Sequence, residues 1–521
     1  MRGFKAGTIL AAAGLALASA AEPAAAQDCS RLEGRHPGSV TVVRASEVQA
    51  AGGWTPVPAA EQRWPSVQVS LCRVEGVIEE NIGFELWLPL PARWNGRLLA
   101  AGVGGPAGFF NYGDMSRRAN EGFATVSTDS GHKASNDRWM ADPQARVDYE
   151  HRATHLTTVA ARELVRRFYG REATRRYFLG CSGGGRQGLK EMQNYPDDYH
   201  GIVSGAPGPN MPLNSIRMMW FSLLQKWQPQ AALNDSDWAL YESAATRACD
   251  MTDGLSDGII GNPLACSFDT TTLLCPEEET RGCLTPQKLA MLQAIIAPMP
   301  DEKGRPMDDG LFPGVRTRPG PPSPLLRAMW ADAVYDDPEW DEDRFQRTRD
   351  LEAVYRTMPE LRADRTDIAP FIAAGGKAII YQGWQDPSVV AGPTIDYYQA
   401  LAAANGGVEA LAEAVRLFLA PGMLHCRGGP GADQFGGSGQ ETASGDPSRD
   451  ILWALIAWVE QGRPPDTIVA RKIEDGRTRF ARPLCRFPQS ARYDGSGDPS
   501  EAGSFRCAPD PQLTRYGAAE R

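Results

Sequence analysis

The sequence predicts an α/β fold, a helix-flanked and mostly parallel sheet divided by one large insertion. Strand-like runs alternate with helical spacing from residue 123 to 205, the alternation lapses between about 208 and 370, and it resumes at Lys377. An insertion between two parts of one sheet explains all three observations.

The elements follow in order. Residues 39–48, 67–78, 82–90 and 97–101 are rich in β-branched and large apolar side chains and are separated by turn residues, which predicts an antiparallel opening to the sheet. Next come a strand over 123–128, helical spacing over 145–169, a strand over 176–180, a helix over 186–194 and a strand over 201–205. Beyond Gly205-Ala206-Pro207-Gly208-Pro209 the chain is rich in Trp, Pro and Asp, and residues 319–324 form a proline-dense loop. A strand over 377–383, a helix over 394–404, a strand over 415–419 and a helix over 450–460 restore the rhythm, and residues 464–521 read as an irregular tail. The expected organisation is a leader over 1–26, a first core part over 27–207, an inserted domain over 208–370, and a second core part with the tail over 371–521.

The leader reads as an export signal: Arg2 and Lys5 precede an apolar stretch, and Ala24-Ala25-Ala26 forms a small-residue cleavage site, with Ser19-Ala20 as the alternative. The apolar run is shorter than the roughly 20 residues that span a bilayer. No membrane insertion is expected after cleavage, and the predicted location is secreted or periplasmic. Lys and Arg number 54 against 64 Asp and Glu, a net charge of −10, which argues against nucleic acid and anionic membrane surfaces as partners. Ten cysteines in an exported chain predict disulfides. Neighbouring positions suggest Cys29–Cys72, Cys249–Cys266, Cys275–Cys283 and Cys485–Cys507, and paired C-x-x-C spacing for zinc is absent.

Gly180-Cys181-Ser182-Gly183-Gly184 has G-x-S-x-G spacing between a predicted strand and a predicted helix, the setting of a nucleophile elbow. The competing reading, a glycine-rich phosphate loop, lacks the P-loop Lys and the G-x-G-x-x-G spacing. With Ser182 as nucleophile, the chain order Ser, acid, His leaves only His200 and His425 among the six histidines, and His200 leaves little room for an acid strand between. Asp386, at the end of the predicted strand 377–383, is the expected acid; Asp364 and Asp367 precede that strand. Gly183 and the Gly104-Gly105 loop would supply oxyanion N–H groups, Gly105 being preferred. Cys181 adjoins Ser182 and Cys426 adjoins His425, so a Cys181–Cys426 bridge would hold nucleophile and base together. Cys181 as a thiol nucleophile is the alternative.

Asp250, Asp253 and Asp257 fall within eight residues among turn-forming glycines, and the carbonyls of Leu255 and Ile259 could complete an oxygen shell for Ca²⁺. The spacing is not that of an EF-hand, and a solvated acidic turn is the other reading.

Trp94-Asn95-Gly96-Arg97, the Gly104-Gly105 loop, Cys181-Ser182, Asp386 and His425-Cys426 together resemble the tannase and feruloyl esterase family, which also includes mono(2-hydroxyethyl) terephthalate hydrolases. The resemblance covers nearly the whole chain after the leader. It implies an α/β-hydrolase core with a large inserted lid domain, a Ser182–Asp386–His425 triad, a catalytic-site disulfide Cys181–Cys426, and the other four cysteine pairs. It also implies structural lid calcium on Asp250, Asp253, Leu255, Asp257 and Ile259, with no organic cofactor. The implied activity is hydrolysis of small aromatic esters of feruloyl, galloyl or terephthalate half-ester type. A general carboxylesterase, or a calcium-dependent binding protein without turnover, are the alternatives. Within the lid, Phe312, Trp330 and Trp340 could stack on an acyl ring, though a place in the lid core is the favoured reading of each, and Arg316, Arg318 or Arg327 could bind an anionic one, though a surface charge is the favoured reading of each.

Overall fold

The computed structural model describes residues 28–58, 60–276, 281–317 and 320–515, with Met1 and Gly3. The expected leader over 1–26, apart from those two residues, and Arg318 lie outside the described residues.

Ten strands form one sheet: β1 (Gly34–His36), β2 (Val40–Val48), β3 (Leu71–Ile78), β4 (Ile82–Pro89), β5 (Arg97–Ala101), β6 (Ala124–Thr128), β7 (Arg175–Cys181), β8 (Gly201–Gly205), β9 (Lys377–Gly383) and β10 (Val415–Ala420). Their spatial order is β1-β2-β3-β4-β6-β5-β7-β8-β9-β10. The strands from β1 to β4 are an antiparallel meander, β4 pairs antiparallel with β6, and every pairing from β6 to β10 is parallel. Arg97–Ala101, expected in the antiparallel opening, is therefore an inner parallel strand. Its last four residues are buried in succession, as a strand covered on both faces requires. From β5 the chain first moves outward to β6 and then returns to β7 on the other side. This reversal makes the crevice above β5 and β7 a topological switch point, where open α/β sheets place their sites.

Helices cover both faces. Ala153–Tyr169 packs Leu164, Val165 and Phe168 on one side, and Ile451–Gln461 packs Ile451, Leu452 and Leu455 on the other. The helical spacing expected over 145–169 is interrupted: Pro143–Val147 is α, Asp148–Arg152 forms a π turn, and the α-helix resumes at Ala153. The supposedly irregular tail contains two hairpins, β11 (Thr467–Glu474) with β12 (Arg477–Cys485) and β13 (Gln489–Tyr493) with β14 (Phe505–Pro509). Charged and apolar side chains are mixed along them without a sustained alternation, so no strand pattern marked them.

Between β8 and β9 the chain builds helices, notably Met211–Trp227, Asp235–Cys249, Pro286–Ile296 and Arg347–Thr357, and no sheet strand among the described residues. Two apolar clusters hold this segment together, one around Ile216, Met219, Trp330 and Val354 and one around Trp238, Tyr241, Leu292 and Ile295. The architecture is an α/β-hydrolase core carrying a large insertion.

All ten cysteines pair, as Cys29–Cys72, Cys181–Cys426, Cys249–Cys266, Cys275–Cys283 and Cys485–Cys507. No thiol nucleophile is left, which removes the Cys181 alternative. Among the described residues no helix is long and apolar enough to cross a membrane.

Candidate active site

Ser182 stands between β7 and the helix Gly183–Asn194 with φ 62° and ψ −127°. A non-glycine residue adopts this sparsely populated conformation only where its surroundings enforce it. Here Ser182 N–H donates to the Gly205 carbonyl at 2.9 Å, and its own carbonyl accepts from Arg186 N–H at 2.9 Å. The flanking glycines permit the turn by close approach. A Cβ on Gly184 would lie 2.9 Å from the carbonyl carbon of Gly102, and one on Gly180 would lie 2.6 Å from that of Gly184. The elbow and the loop after β5 therefore touch. A Cβ on Gly183 would sit 3.3 Å from Gly105 N, and one on Gly104 would sit 3.6 Å from Ser182 Cβ. Gly183 opens a helix, where backbone N–H groups have no intrahelical acceptor.

The Gly104-Gly105-Pro106 loop is braced from behind. Tyr149, in the π turn, donates its hydroxyl to the Gly105 carbonyl at 3.0 Å, and His132 Nε2 lies 2.8 Å from the Pro106 carbonyl. His132 stacks on Trp139 with ring centroids 3.8 Å apart, and burial pushes its imidazole down to about 4. It is neutral at ordinary pH, with Nε2–H as the donor that the carbonyl requires.

Asp386 follows β9 and is fully buried. Its Oδ1 accepts from the N–H groups of Ser388 (2.8 Å) and Val389 (2.9 Å), and its Oδ2 from Gln382 Nε2 (3.3 Å) and His425 Nδ1 (2.7 Å). His425 lies on the loop after β10. That loop runs against the end of β9: Trp384 N–H donates to Ala420 and Gln385 N–H to Met423. A Cβ on Gly383 would come within 2.7 Å of the Leu424 carbonyl, so glycine is needed for the two loops to close up. The Cys181–Cys426 bridge, with Cα atoms 6.0 Å apart, joins this loop to the elbow and limits the Ser182 and His425 Cα atoms to about 14 Å.

Other histidines are engaged elsewhere. His200 Nδ1 accepts from Arg176 N–H, His151 faces Tyr195, and His155 faces Asp198. Asp364 pairs with Arg362, and Asp367 receives the N–H of Ala369.

A cavity of about 560 Å³ opens over His425 between core and insertion, walled by Asn214, Arg217 and Phe221, by Thr317 and Leu326, and by Ser388. None of the described lid candidates, Phe312, Trp330, Trp340, Arg316 and Arg327, is part of this wall. Trp330 is fully buried between Trp340 and Phe345 in the core of the insertion, and Phe312 packs edge-on against Trp384. Arg316 faces Glu242, and Arg327 donates to the carbonyls of Pro338 and Trp340. Sequence reasoning missed Arg217 and Phe221. Arg217 pairs with Asp308 through Nε (2.7 Å) and Nη2, its guanidinium lies 5.1 Å from the Phe221 ring centre, and its Nη1 is buried without a partner. An arginine at an ordinary helical position carries no motif that would have singled it out.

In the acidic loop, Asp250 Oδ1 accepts from the N–H groups of Asp257, Gly258 and Ile259 at 2.8–3.2 Å. Asp253 and Asp257 share a small cavity with Ile259 and Arg482; burial, with Asp257 nearby, pushes the Asp253 carboxyl up to about 6. Arg482 Nη2 donates to Asp257 Oδ2 at 2.6 Å. Ser256 Oγ donates to the other Asp250 oxygen at 2.7 Å, so Asp253 and Asp257 supply the hard carboxylate oxygens that face the cavity, the ligand type calcium takes.

The fold, the strained serine turn and the hydrogen-bonded Asp–His pair define an α/β hydrolase. The pattern described as "Tannase and feruloyl esterase" matches residues 66–314 and 330–508, and the chain belongs to that family of carboxylic ester hydrolases. It is 32% identical to a probable feruloyl esterase B-1 of Aspergillus flavus, over 85% of this chain and 87% of that protein. It is also 32% identical to the mono(2-hydroxyethyl) terephthalate hydrolase of Piscinibacter sakaiensis, over 91% and 90% of the two chains. Among solved structures, feruloyl esterase B from Aspergillus oryzae superposes with a TM-score of 0.84 at 27% identity, covering 91% of this chain and 98% of that one. The tannin acyl hydrolase from Aspergillus niger shares the fold, with a TM-score of 0.73 at 20% identity over 93% and 94% of the chains.

Proposed function

We propose that this chain is an exported serine esterase that cleaves esters of aromatic acids through Ser182, His425 and Asp386. The observation that carries the proposal is the His425–Asp386 hydrogen bond, on a loop bridged through Cys426 to the neighbour of a strained Ser182. Asp386 holds Nδ1–H of the imidazole, so Nε2 is the free base. His425 takes the proton of Ser182 as Oγ attacks the ester carbonyl, and the N–H groups of Gly183 and Gly105 receive the oxyanion. His425 then protonates the departing alcohol, and a water activated by the same imidazole releases the acid and restores Ser182.

Residues 208–370 act as the lid over the acyl group. The family pattern is interrupted over 315–329, the stretch that supplies Thr317 and Leu326 to the cavity wall. Selection of the acyl group by this stretch is the reading that fits. An aromatic acyl ring would lie against Phe221, and a hydroxyl or carboxylate on it would meet Arg217. Five disulfides and a signal-like leader support export. Asp250, Asp253 and Asp257 with the carbonyls of Leu255 and Ile259 would hold Ca²⁺, whose charge offsets that of the carboxylates and fixes the loop.

A panel of methyl ferulate, methyl gallate, mono(2-hydroxyethyl) terephthalate and short aliphatic esters, run on the parent and on Ser182→Ala, tests the proposal. Aromatic esters should be preferred and Ser182→Ala inactive. Preference for the aliphatic esters would make the chain a general carboxylesterase, and an active Ser182→Ala would end the assignment of the nucleophile.

A further inference from the structure

Three ionisable side chains converge outside the ester site. His155 belongs to the helix Ala153–Tyr169, Glu191 to the helix Gly183–Asn194, and Asp198 to the turn before β8. His155 Nδ1 lies 2.7 Å from Asp198 Oδ2, and one ligand atom from each of the three lies within 4.8 Å of the others. Glu191 and Asp198 are 1% and 4% exposed, whereas 28% of the His155 side chain reaches solvent.

The unusual member is Glu191. Both of its carboxyl oxygens are buried, and neither receives a hydrogen bond. Two arginines near the cluster both serve Asp198 instead: Arg162 stands 4.0 Å from its Oδ1, and Arg176 Nε donates to its backbone carbonyl at 2.7 Å. A buried carboxylate without a donor is strongly disfavoured, and two in contact more so, unless a proton or a cation supplies the missing positive charge. Tyr195 stacks on the imidazole at 3.9 Å and fixes the plane of its ring.

We propose that His155, Glu191 and Asp198 form a second cation site, selective for a divalent transition ion such as zinc. One imidazole and two carboxylates are a three-ligand set that zinc accepts with water in the fourth position. Calcium, which takes six to eight oxygens, is poorly served by it. Tetrahedral bonds of about 2.0–2.2 Å place ligand atoms about 3.4 Å apart, so the ring need retreat from Asp198 by less than 1 Å. Its solvent-facing edge leaves a path of entry. The ion would stand at the ninth residue of the helix that begins beyond Ser182, about 12 Å from its start, and would tie that helix to its neighbour. Its role is structural, remote from the ester.

The test uses the mature chain stripped with chelator, titrated with zinc chloride in the presence of millimolar calcium chloride to occupy the oxygen loop. One equivalent of zinc should bind, raising Tm by several degrees, and cobalt(II) in its place should show the intense visible bands of a four-coordinate ion. Glu191→Gln should weaken zinc binding at least about tenfold, while its metal-free Tm stays level or rises, because a buried like charge is gone. His155→Ala, at the exposed edge, should lose the cobalt bands while remaining folded. Failure to bind zinc stoichiometrically, or equal zinc affinity in Glu191→Gln, would overturn the proposal and leave a proton between the carboxylates as the compensating charge.

Discussion

Asn214 and Ser388 join the insertion to the turn that carries the proposed catalytic acid. Asn214 Nδ2 donates to the Ser388 carbonyl at 2.8 Å, and the N–H of Ser388 donates to Asp386 Oδ1 at 2.8 Å. The first helix of the insertion is thus one residue away from the group that orients His425.

Removing that link should disturb positioning more than folding. Asn214→Ala is expected to lower kcat about fivefold to tenfold, the worth of one well-placed hydrogen bond, with Tm changed by no more than a few degrees. Steady-state kinetics with a p-nitrophenyl ester beside a melting curve separates the two effects.

The Cys181–Cys426 bridge should matter to turnover beyond its contribution to stability. The Cys181→Ala/Cys426→Ala variant, assayed well below its own Tm, should lose at least about tenfold in kcat, as expected when a nucleophile and its base lose their fixed spacing. A folded variant with parental kcat would show that the bridge only stabilises the fold.

Arg217 should select among acyl groups. Arg217→Lys retains a cation against Asp308 but removes the buried Nη1. KM for a hydroxylated or carboxylated aromatic ester should rise roughly tenfold, while an unsubstituted benzoate ester is affected little. Equal effects on both esters would indicate a packing role.

His132 predicts acid lability. Its imidazole is held down to about 4 by burial, against about 6.5 when unfolded. On acidification the unfolded chain takes up this proton first, so this contribution to stability declines from about pH 6.5 and levels off near pH 4. His132→Gln should flatten the fall of Tm with pH across that interval. A parallel curve would rule the residue out as a source of the acid response.

Chelation should act on stability rather than chemistry. Removing calcium from the mature chain should lower Tm by several degrees and leave kcat at low temperature nearly intact. Asp253→Asn, stripped of all metal, should recover no Tm when calcium chloride alone is added back, whereas the parent should.

Much of the candidate site was legible because its parts are local. The serine turn announces itself through glycines whose close approach admits no side chain, and Asp386 and His425 each follow a strand that reads as apolar. The cysteine pairs were legible from their neighbours. The cavity was not, since its wall is assembled from separate helices and loops of the insertion, and no periodicity reports which face of a helix meets another domain. Trp330 and Trp340 take the core places favoured for them, since large aromatics in a helical segment are first of all its core. Arg97–Ala101 was assigned to the wrong kind of pairing because a five-residue apolar run does not reveal the direction of its partners.

The bond between Cys181 and Cys426 spans 245 residues, and every helix of the insertion lies within that span. The insertion therefore lies within a covalent ring whose clasp sits at the proposed reaction centre. Segments of the ring can be lengthened, trimmed or exchanged without altering the clasp, so such a scaffold can acquire new substrates while its bond-breaking machinery stays the same.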